Sequence, residues 1–374
     1  MKAAKDAPQK LAKAGKLPRD RRPRTRDYGY GNARTRGMKS NLLGAAFFEE
    51  LMSASDLSKM IHLLLDTQYG PDLEARLIQG HTPAVVDDAL KDNMVRTFAK
   101  IMGFVSDEAR LLSITLLGRW DLFNIKTIIR GKHMKLKTET IVDSLLPVGE
   151  MTQVELKELA GLEDVLAVTD TLWTWGVPYS IPLRESVQEY LKESDLSVLE
   201  LSLDRYYSQW AAKRLTSRRA NYKLARMILG LQVDSTNLVT AFRLLKADTT
   251  EMDVKRLFLP GGVHVTEELF LGLTSLSDVD EVIDALKGTP YSAQLEKVLV
   301  PYLDANSIAV LERALEDYVM RKALGSGFGD PLGFGVMVSY LYAKQNEVTN
   351  VRIIVKGNAV GMPADRMRKE LIFV

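Results

Sequence analysis

The sequence predicts an all-α protein of three similar helical modules. Two observations carry this: a short motif that returns twice at a fixed interval, and apolar residues spaced mainly three and four apart in the segments between. The motif is WDLFNIKTIIRG at 120–131, and it returns as DSTNLVTAFR at 234–243 and EVTNVRIIVK at 347–356. Each copy has an acid (Asp121, Asp234, Glu347) and an Asn three residues on (Asn124, Asn237, Asn350). Apolar residues follow, including Ile128/Ile129, Ala241/Phe242 and Ile354/Val355, and then a base (Arg130, Arg243, Lys356). The acids are evenly placed, 113 residues apart.

A true repeat brings neighbours at the same period. Val85-Val86-Asp87, Val198-Leu199-Glu200 and Val310-Leu311-Glu312 lie 113 and 112 residues apart, and Thr67-Gln68-Tyr69, Val177-Pro178-Tyr179 and Thr289-Pro290-Tyr291 form a third set. Pro147 and Pro260 each stand 26 residues after their acid, where the third copy has Phe373. The expected modules are therefore 28–149, in which the repeat proper begins near 41, then 150–262 and 263–374. A period above 100 residues points to compact modules rather than to a thin solenoid.

The elements follow in order. Residues 1–27 hold ten Lys/Arg, three Asp/Glu, several prolines and almost no large apolar residue, the composition of a disordered basic tail. Each module then opens with an amphipathic helical hairpin, EELMSASDLSKMIHLLLD (49–66), VELKELAGLEDVLAVTDTLW (154–173) and EELFLGLTSLSDVDEVIDALKG (267–288), rich in Leu, Ala, Glu and Lys. A Pro or Gly near each repeated Tyr closes it. VRIIV at 351–355 has the look of a strand, but FNIKTIIR and NLVTAFR have helical spacing, so all three copies are expected to be helix.

On a helix the acid, the Asn and the apolar residues four and seven after the acid share one face. An Asn on an apolar face must find hydrogen-bond partners, so Asp121/Asn124, Asp234/Asn237 and Glu347/Asn350 are expected to form a packing lock; the acid could also serve as N-cap of the helix it opens. Catalysis would need a second convergent group, and none repeats. Arg130, Arg243 and Lys356 suit helix C-termini, with Gly131 and Gly357 as caps, or else three equivalent cations for a partner.

Composition excludes several classes. At 374 residues, 46% apolar and 26% charged, the chain is a globular protein with a real core. It has no cysteine, which removes disulfides and thiolate chemistry, and its four histidines have no metal-binding spacing. No apolar run approaches the roughly 18 residues of a membrane span, and no h-region of a signal peptide opens the chain, so a location on the cytoplasmic side is expected. The net charge of +2 conceals the basic tail, which leaves 40 bases against 45 acids beyond residue 27.

GSGFGDPLGFG at 325–335 is the most enzyme-like stretch. It lacks the Lys and hydroxyl of a phosphate loop and no GxGxxG follows a strand; GxSxG and HExxH are absent from the chain. The expectation is a turn with Asp330 as N-cap, Pro331 as first helical residue, and Gly333 and Gly335 permitting close helix approach. No catalytic residue, cofactor or metal site is expected.

YGYGNARTRGMK at 28–39, DLFNIKTIIRGK at 121–132, and PLGFG at 331–335 followed by YLYAKQNEVTNVRIIVKG at 340–357 together resemble the C subunits of the archaeal and bacterial A/V-type ATP synthases, whose eukaryotic vacuolar counterpart is the d subunit. The likeness runs from about residue 28 onward; the basic tail departs from it. It implies an all-helical funnel of three modules in pseudo-threefold arrangement. It implies also a non-catalytic central-stalk rotor part on the cytoplasmic face, between the membrane proteolipid ring and the shaft subunits. Contact with the membrane would be indirect, through the ring, and no specific nucleic acid is implied. Candidate partner contacts are Arg130, Arg243 and Lys356 with Tyr28, Arg34, Arg36 and Lys39, whose Tyr and Arg content suits an interface. The alternatives are a helical scaffold unrelated to a rotary enzyme, or a nucleic-acid binder using residues 1–27.

Overall fold

The computed structural model describes residues 27–245 and 253–373, and the basic segment at 1–27 lies outside them except for Asp27. The chain is all-α, with no strand among the described residues. After α1 (Gly29–Lys39) come α2 (Ala45–Ser53), α3 (Leu57–Leu65), α4 (Gly70–Leu77), α5 (Pro83–Phe104), α6 (Asp107–His133) and α7 (Thr138–Asp143). The order of two short helices, a connector and two long helices then recurs in α8 (Gln153–Gly161), α9 (Val165–Trp175), α10 (Ser180–Glu193), α11 (Leu196–Arg214) and α12 (Ala220–Leu244). It recurs again in α13 (Glu267–Thr274), α14 (Val279–Ala285), α15 (Ser292–Glu296), α16 (Leu299–Ala305), α17 (Ile308–Gly325) and α18 (Gly335–Ala359), with α19 (Ala364–Glu370) last.

Local signals place the helix starts. The first short helix of each run is preceded by Gly44, Thr152 or Thr266, and the second is N-capped twelve residues later by Asp56, Asp164 or Asp278. Each of those aspartates accepts the backbone N–H three residues on, which satisfies a donor the first helical turn leaves open. Thr152 and Glu155 complete a reciprocal capping box. Tyr69, Tyr179 and Tyr291 stand just before α4, α10 and α15, and all three are buried.

The described residues form two compact units, Leu111–Glu316 and Asp27–Arg110 with Asp317 onward. In the first, α10 packs on α9 and α11, and α12 on α11 and α13. The inner face of α12 buries Leu238, Ala241 and Phe242, and fully burying a large apolar side chain is worth about 1.5–3 kcal/mol. In the second, α18 is the central rod, touching α1, α2, α3, α5 and α19, and it is buried along most of its length. VRIIV lies inside that rod: packing of Val351, Ile354 and Val355, which are buried, outweighs the slight helix aversion of β-branched residues.

Two expected caps fall elsewhere. Gly131 and Gly357 are inside α6 and α18, at positions where a Cβ would meet Ile141 at 2.5 Å and the Met367 sulfur at 2.7 Å. They let α7 and α19 fold back closely. The left-handed residues come four positions later, Lys135 at φ 53° and Gly361 at φ 67°. Asp330 does not cap a helix either; its carboxylate accepts from Leu332 N in a turn, and α18 begins only at Gly335.

Replacing Thr152 by Ala removes the capping box and should cost about 1 kcal/mol locally, so amide exchange in the first turn of α8 is expected to speed roughly fivefold. Hydrogen exchange resolved by peptide measures it; unchanged protection there would contradict the role of the cap.

Candidate functional site: three buried polar locks

The acid and Asn of each copy lie one turn apart in the middle of a long helix, α6, α12 or α18, and all six are buried. None of the acids is an N-cap. Asp121, for example, is fourteen residues past the start of α6 at Asp107, so its own helix has no open donors to offer.

Each Asn pairs twice with one residue 22 positions on. Asn124 Nδ2 donates to Leu146 O at 2.7 Å while Leu146 N donates to Asn124 Oδ1 at 2.8 Å. Asn237 makes the same pair with Leu259 at 2.9 and 2.9 Å, and Asn350 with Ile372 at 2.9 and 3.3 Å. A primary amide holds a donor and an acceptor side by side, the set that a backbone residue also presents. The residue therefore pins the returning segment to its own long helix.

Each acid instead reaches the start of a short-helix pair, the next one along the chain for Asp121 and Asp234 and the first one, α2 and α3, for Glu347. Asp121 accepts from Glu150 N at 2.8 Å and Met151 N at 3.0 Å. Asp234 accepts from Val263 N, His264 N and Val265 N at 3.1, 2.8 and 3.1 Å. Glu347 accepts from Leu43 N. Met151, Val265 and Leu43 occupy one structural position, immediately before Thr152, Thr266 and Gly44. Negative charge there is favoured by the positive end of the adjacent helix. The backbone must come close: a Cβ at Gly149 or Gly262 would overlap the carboxylate of Asp121 or Asp234.

The repeated tyrosines belong to these sites. Tyr291 Oη donates to Asp234 Oδ2 at 2.7 Å, and Tyr69 Oη to Glu347 Oε1 at 2.6 Å. Tyr179 Oη turns to Gly118 O at 3.0 Å, three residues before Asp121. The third lock adds Gln68 Nε2 at 2.9 Å and a fully buried Lys344, whose Nζ is 2.9 Å from Glu347 Oε1 and 2.8 Å from Tyr69 Oη. Burial pushes the Lys344 ammonium down, with Glu347 opposing, and pushes the Tyr69 hydroxyl well up. Asp121 has neither cation nor hydroxyl. Burial raises its carboxyl to about 6 against the lowering by Glu150 N–H and Met151 N–H; Glu150 and Glu155 add a smaller push upward.

The bases are engaged with the second recurrent motif. Arg130 forks onto Glu200 at 2.5 Å, Arg243 meets Glu312 at 3.1 Å, and Lys356 stands 3.6 Å from Asp87, which Arg352 also holds at 2.5 Å. The side chains of Arg130, Arg243 and Lys356 stay 50, 63 and 57% exposed, so water screens these pairs and each is worth about 1 kcal/mol or less. Of the residues at 28–39, Tyr28 is interior, its hydroxyl 2.9 Å from Glu108 Oε1. Arg34 stacks on Phe104, Arg36 donates to Pro331 O at 2.8 Å, and the Lys39 ammonium lies 5.6 Å from the Phe328 ring centre.

These geometries define an all-helical protein whose recurrent polar residues are satisfied inside the chain and fasten helices to one another. The sequence model described as ATP synthase (C/AC39) subunit matches residues 31–370, and the chain belongs to that family. It is similar to the A-type ATP synthase C subunit of Methanocaldococcus jannaschii, 27% identical over 345 residues that cover 92% of this chain and 86% of that one. The corresponding protein of Methanosarcina mazei is 27% identical over 350 residues, 93% of each chain. The V-type ATP synthase C subunit of Deinococcus radiodurans is 27% identical over 345 residues, 92% of this chain and 91% of that one.

Asn124→Leu leaves Leu146 N–H and C=O buried without partners, at about 1–3 kcal/mol each, so the unfolding midpoint should fall by several degrees; an unchanged midpoint in calorimetry would remove the lock. Because the folded-state pKa of Asp121 lies above its unfolded value, its stability contribution is full below about pH 3.8 and is lost as pH rises through about 6. Asp121→Asn has no such titration. The stability of the wild type relative to this variant should therefore grow on going from pH 7 to pH 4, by at most about 3 kcal/mol; a difference in denaturant midpoints that is flat with pH would contradict the shift.

Proposed function

We propose that the chain is a non-catalytic subunit of the central stalk of an A/V-type ATP synthase. In this reading it joins the membrane proteolipid ring to the shaft subunits and carries torque between ion flow and nucleotide chemistry on other chains. The observation that carries it is the family match across residues 31–370, together with a lock that is built three times from the same residue types. A torque-bearing adaptor needs stiff helices fastened to one another rather than an open pocket. Polar networks satisfied on every side rigidify a core in that way.

The same reading divides the chain into modules 28–149, 150–262 and 263–374 in a pseudo-threefold funnel. Each acid then ties its module to the start of the next, and Glu347 ties the last to the first through Leu43 and Tyr69. In this reading the chain is a peripheral subunit at the cytoplasmic face; no helix of the described residues is long and apolar enough to cross a membrane. The half-exposed Arg130, Arg243 and Lys356, and helix α1 with its exposed Tyr30, are the surfaces offered to partners.

A tagged chain recovered from gently detergent-solubilised membranes of the source cell tests the assignment. Proteolipid and nucleotide-binding subunits are expected among the bound proteins. Recovery of the chain alone, or with unrelated soluble proteins, from membranes shown to contain an intact ATP synthase would overturn it.

A further inference from the structure

The three long hairpins share their buried locks but differ at their tips. Beyond the connection between α5 and α6, the first turn of α6 carries Asp107 and Glu108, the latter buried, and the connection between α17 and α18 is rich in glycine. The tip between α11 and α12 is different in kind. From Arg205 to Val233 the chain contains seven Lys/Arg and no Asp or Glu. Lys213, Arg218, Arg219, Lys223 and Arg226 are all exposed there, on the last turn of α11, the connection and the first two turns of α12. Arg226 Nη1 donates to Leu215 O at 2.9 Å, so the two helix ends and the cations they bear are held together as one patch.

We propose that this tip is a contact site for anionic phospholipid headgroups, a direct membrane contact beyond the one made through the ring; it rests on the stalk reading only for placing the chain beside a membrane. A protein interface needs a desolvated apolar centre with aromatic anchors. This patch has none: the large apolar side chain it exposes is Met227, at 36%. What it offers is a concentration of positive charge on long stems, with Arg214 stacked on the Trp210 ring at 4.5 Å just behind. Clusters of four to eight Lys/Arg adapt to a fluid polyanionic surface, and each cation near such a surface strengthens binding about fivefold. The attraction falls off within a Debye length, about 8 Å at physiological salt, so the tip would act only while held against the bilayer.

The test is co-sedimentation of the full chain with vesicles of phosphatidylcholine alone or mixed equally with phosphatidylglycerol. Binding is expected to the mixed vesicles only, and to weaken with salt. Combined Lys213→Ser, Arg218→Ser and Lys223→Ser should weaken it about a hundredfold with the unfolding midpoint unchanged. Should the midpoint fall, Arg218→Ser and Lys223→Ser are measured singly, each with a loss of about fivefold expected. Unchanged vesicle binding by these variants would overturn the proposal, as would loss of all binding on deleting residues 1–27 alone. Loss of a stalk partner in the pull-down with vesicle binding intact would identify an acidic protein as the occupant instead. Protein-free vesicles contain no ring, so failure here is distinct from failure of the stalk assignment.

Discussion

A carboxylate sunk into the middle of a buried helix face has to be met by donors from outside that helix, because every nearby backbone N–H is already committed to the i−4 carbonyl. The architecture around Asp121, Asp234 and Glu347 follows from that constraint. The start of a short-helix pair is the nearest source of free N–H groups, and in each copy it is brought onto the acid through the residue before the N-cap. Glycine is required where the chain passes the carboxylate at 149 and 262. The Asn one turn later then closes the return of the same chain by pairing with both polar groups of one residue.

The three locks keep this plan and vary its strength. Asp121 has two backbone donors, Asp234 three and a tyrosine hydroxyl, and Glu347 one backbone donor, an amide, a hydroxyl and an ammonium. The longer reach of Glu and the placement of Lys344 three residues earlier go together, since a buried cation is stable only with its partner and losing either member costs about 3–5 kcal/mol. Asp121 has the fewest donors, and burial raises its carboxyl to about 6.

Much of the fold was legible in the sequence because it depends on periodicity. Helix, and not strand, at VRIIV could be read by comparing three copies in which two had unambiguous helical spacing. The partners of the acids could not be read. A backbone N–H leaves no trace in residue type, and the group that meets Glu347 lies 304 positions away at Leu43. The tyrosines were visible as a recurrence, yet their role was hidden because the Pro or Gly beside each of them already accounts for a turn at that point. The glycines misled in a definite way: a Gly after a base near the end of an apolar run is the signature of a C-cap, whereas Gly131 and Gly357 serve close packing against Ile141 and Met367. Both demands select the smallest residue, and sequence alone does not separate them.

The two recurrent motifs turn out to be halves of one device, and magnitudes assign their roles. The pairs Arg130–Glu200, Arg243–Glu312 and Lys356–Asp87 are half-exposed and add little to stability. The Asn and acid locks are buried, and leaving one of their groups unmatched costs several times more. Stability therefore resides in the interior locks. The rim pairs serve register: they join the end of α6 to α11, of α12 to α17 and of α18 to α5, and a slip of one turn along α11, α17 or α5 would carry the paired acid about 5.4 Å from its base. A buried lock that tolerates no displacement and a solvated pair that disfavours the wrong one are complementary constraints, which is sufficient reason for both to recur at the same period while the hairpin tips between them have diverged.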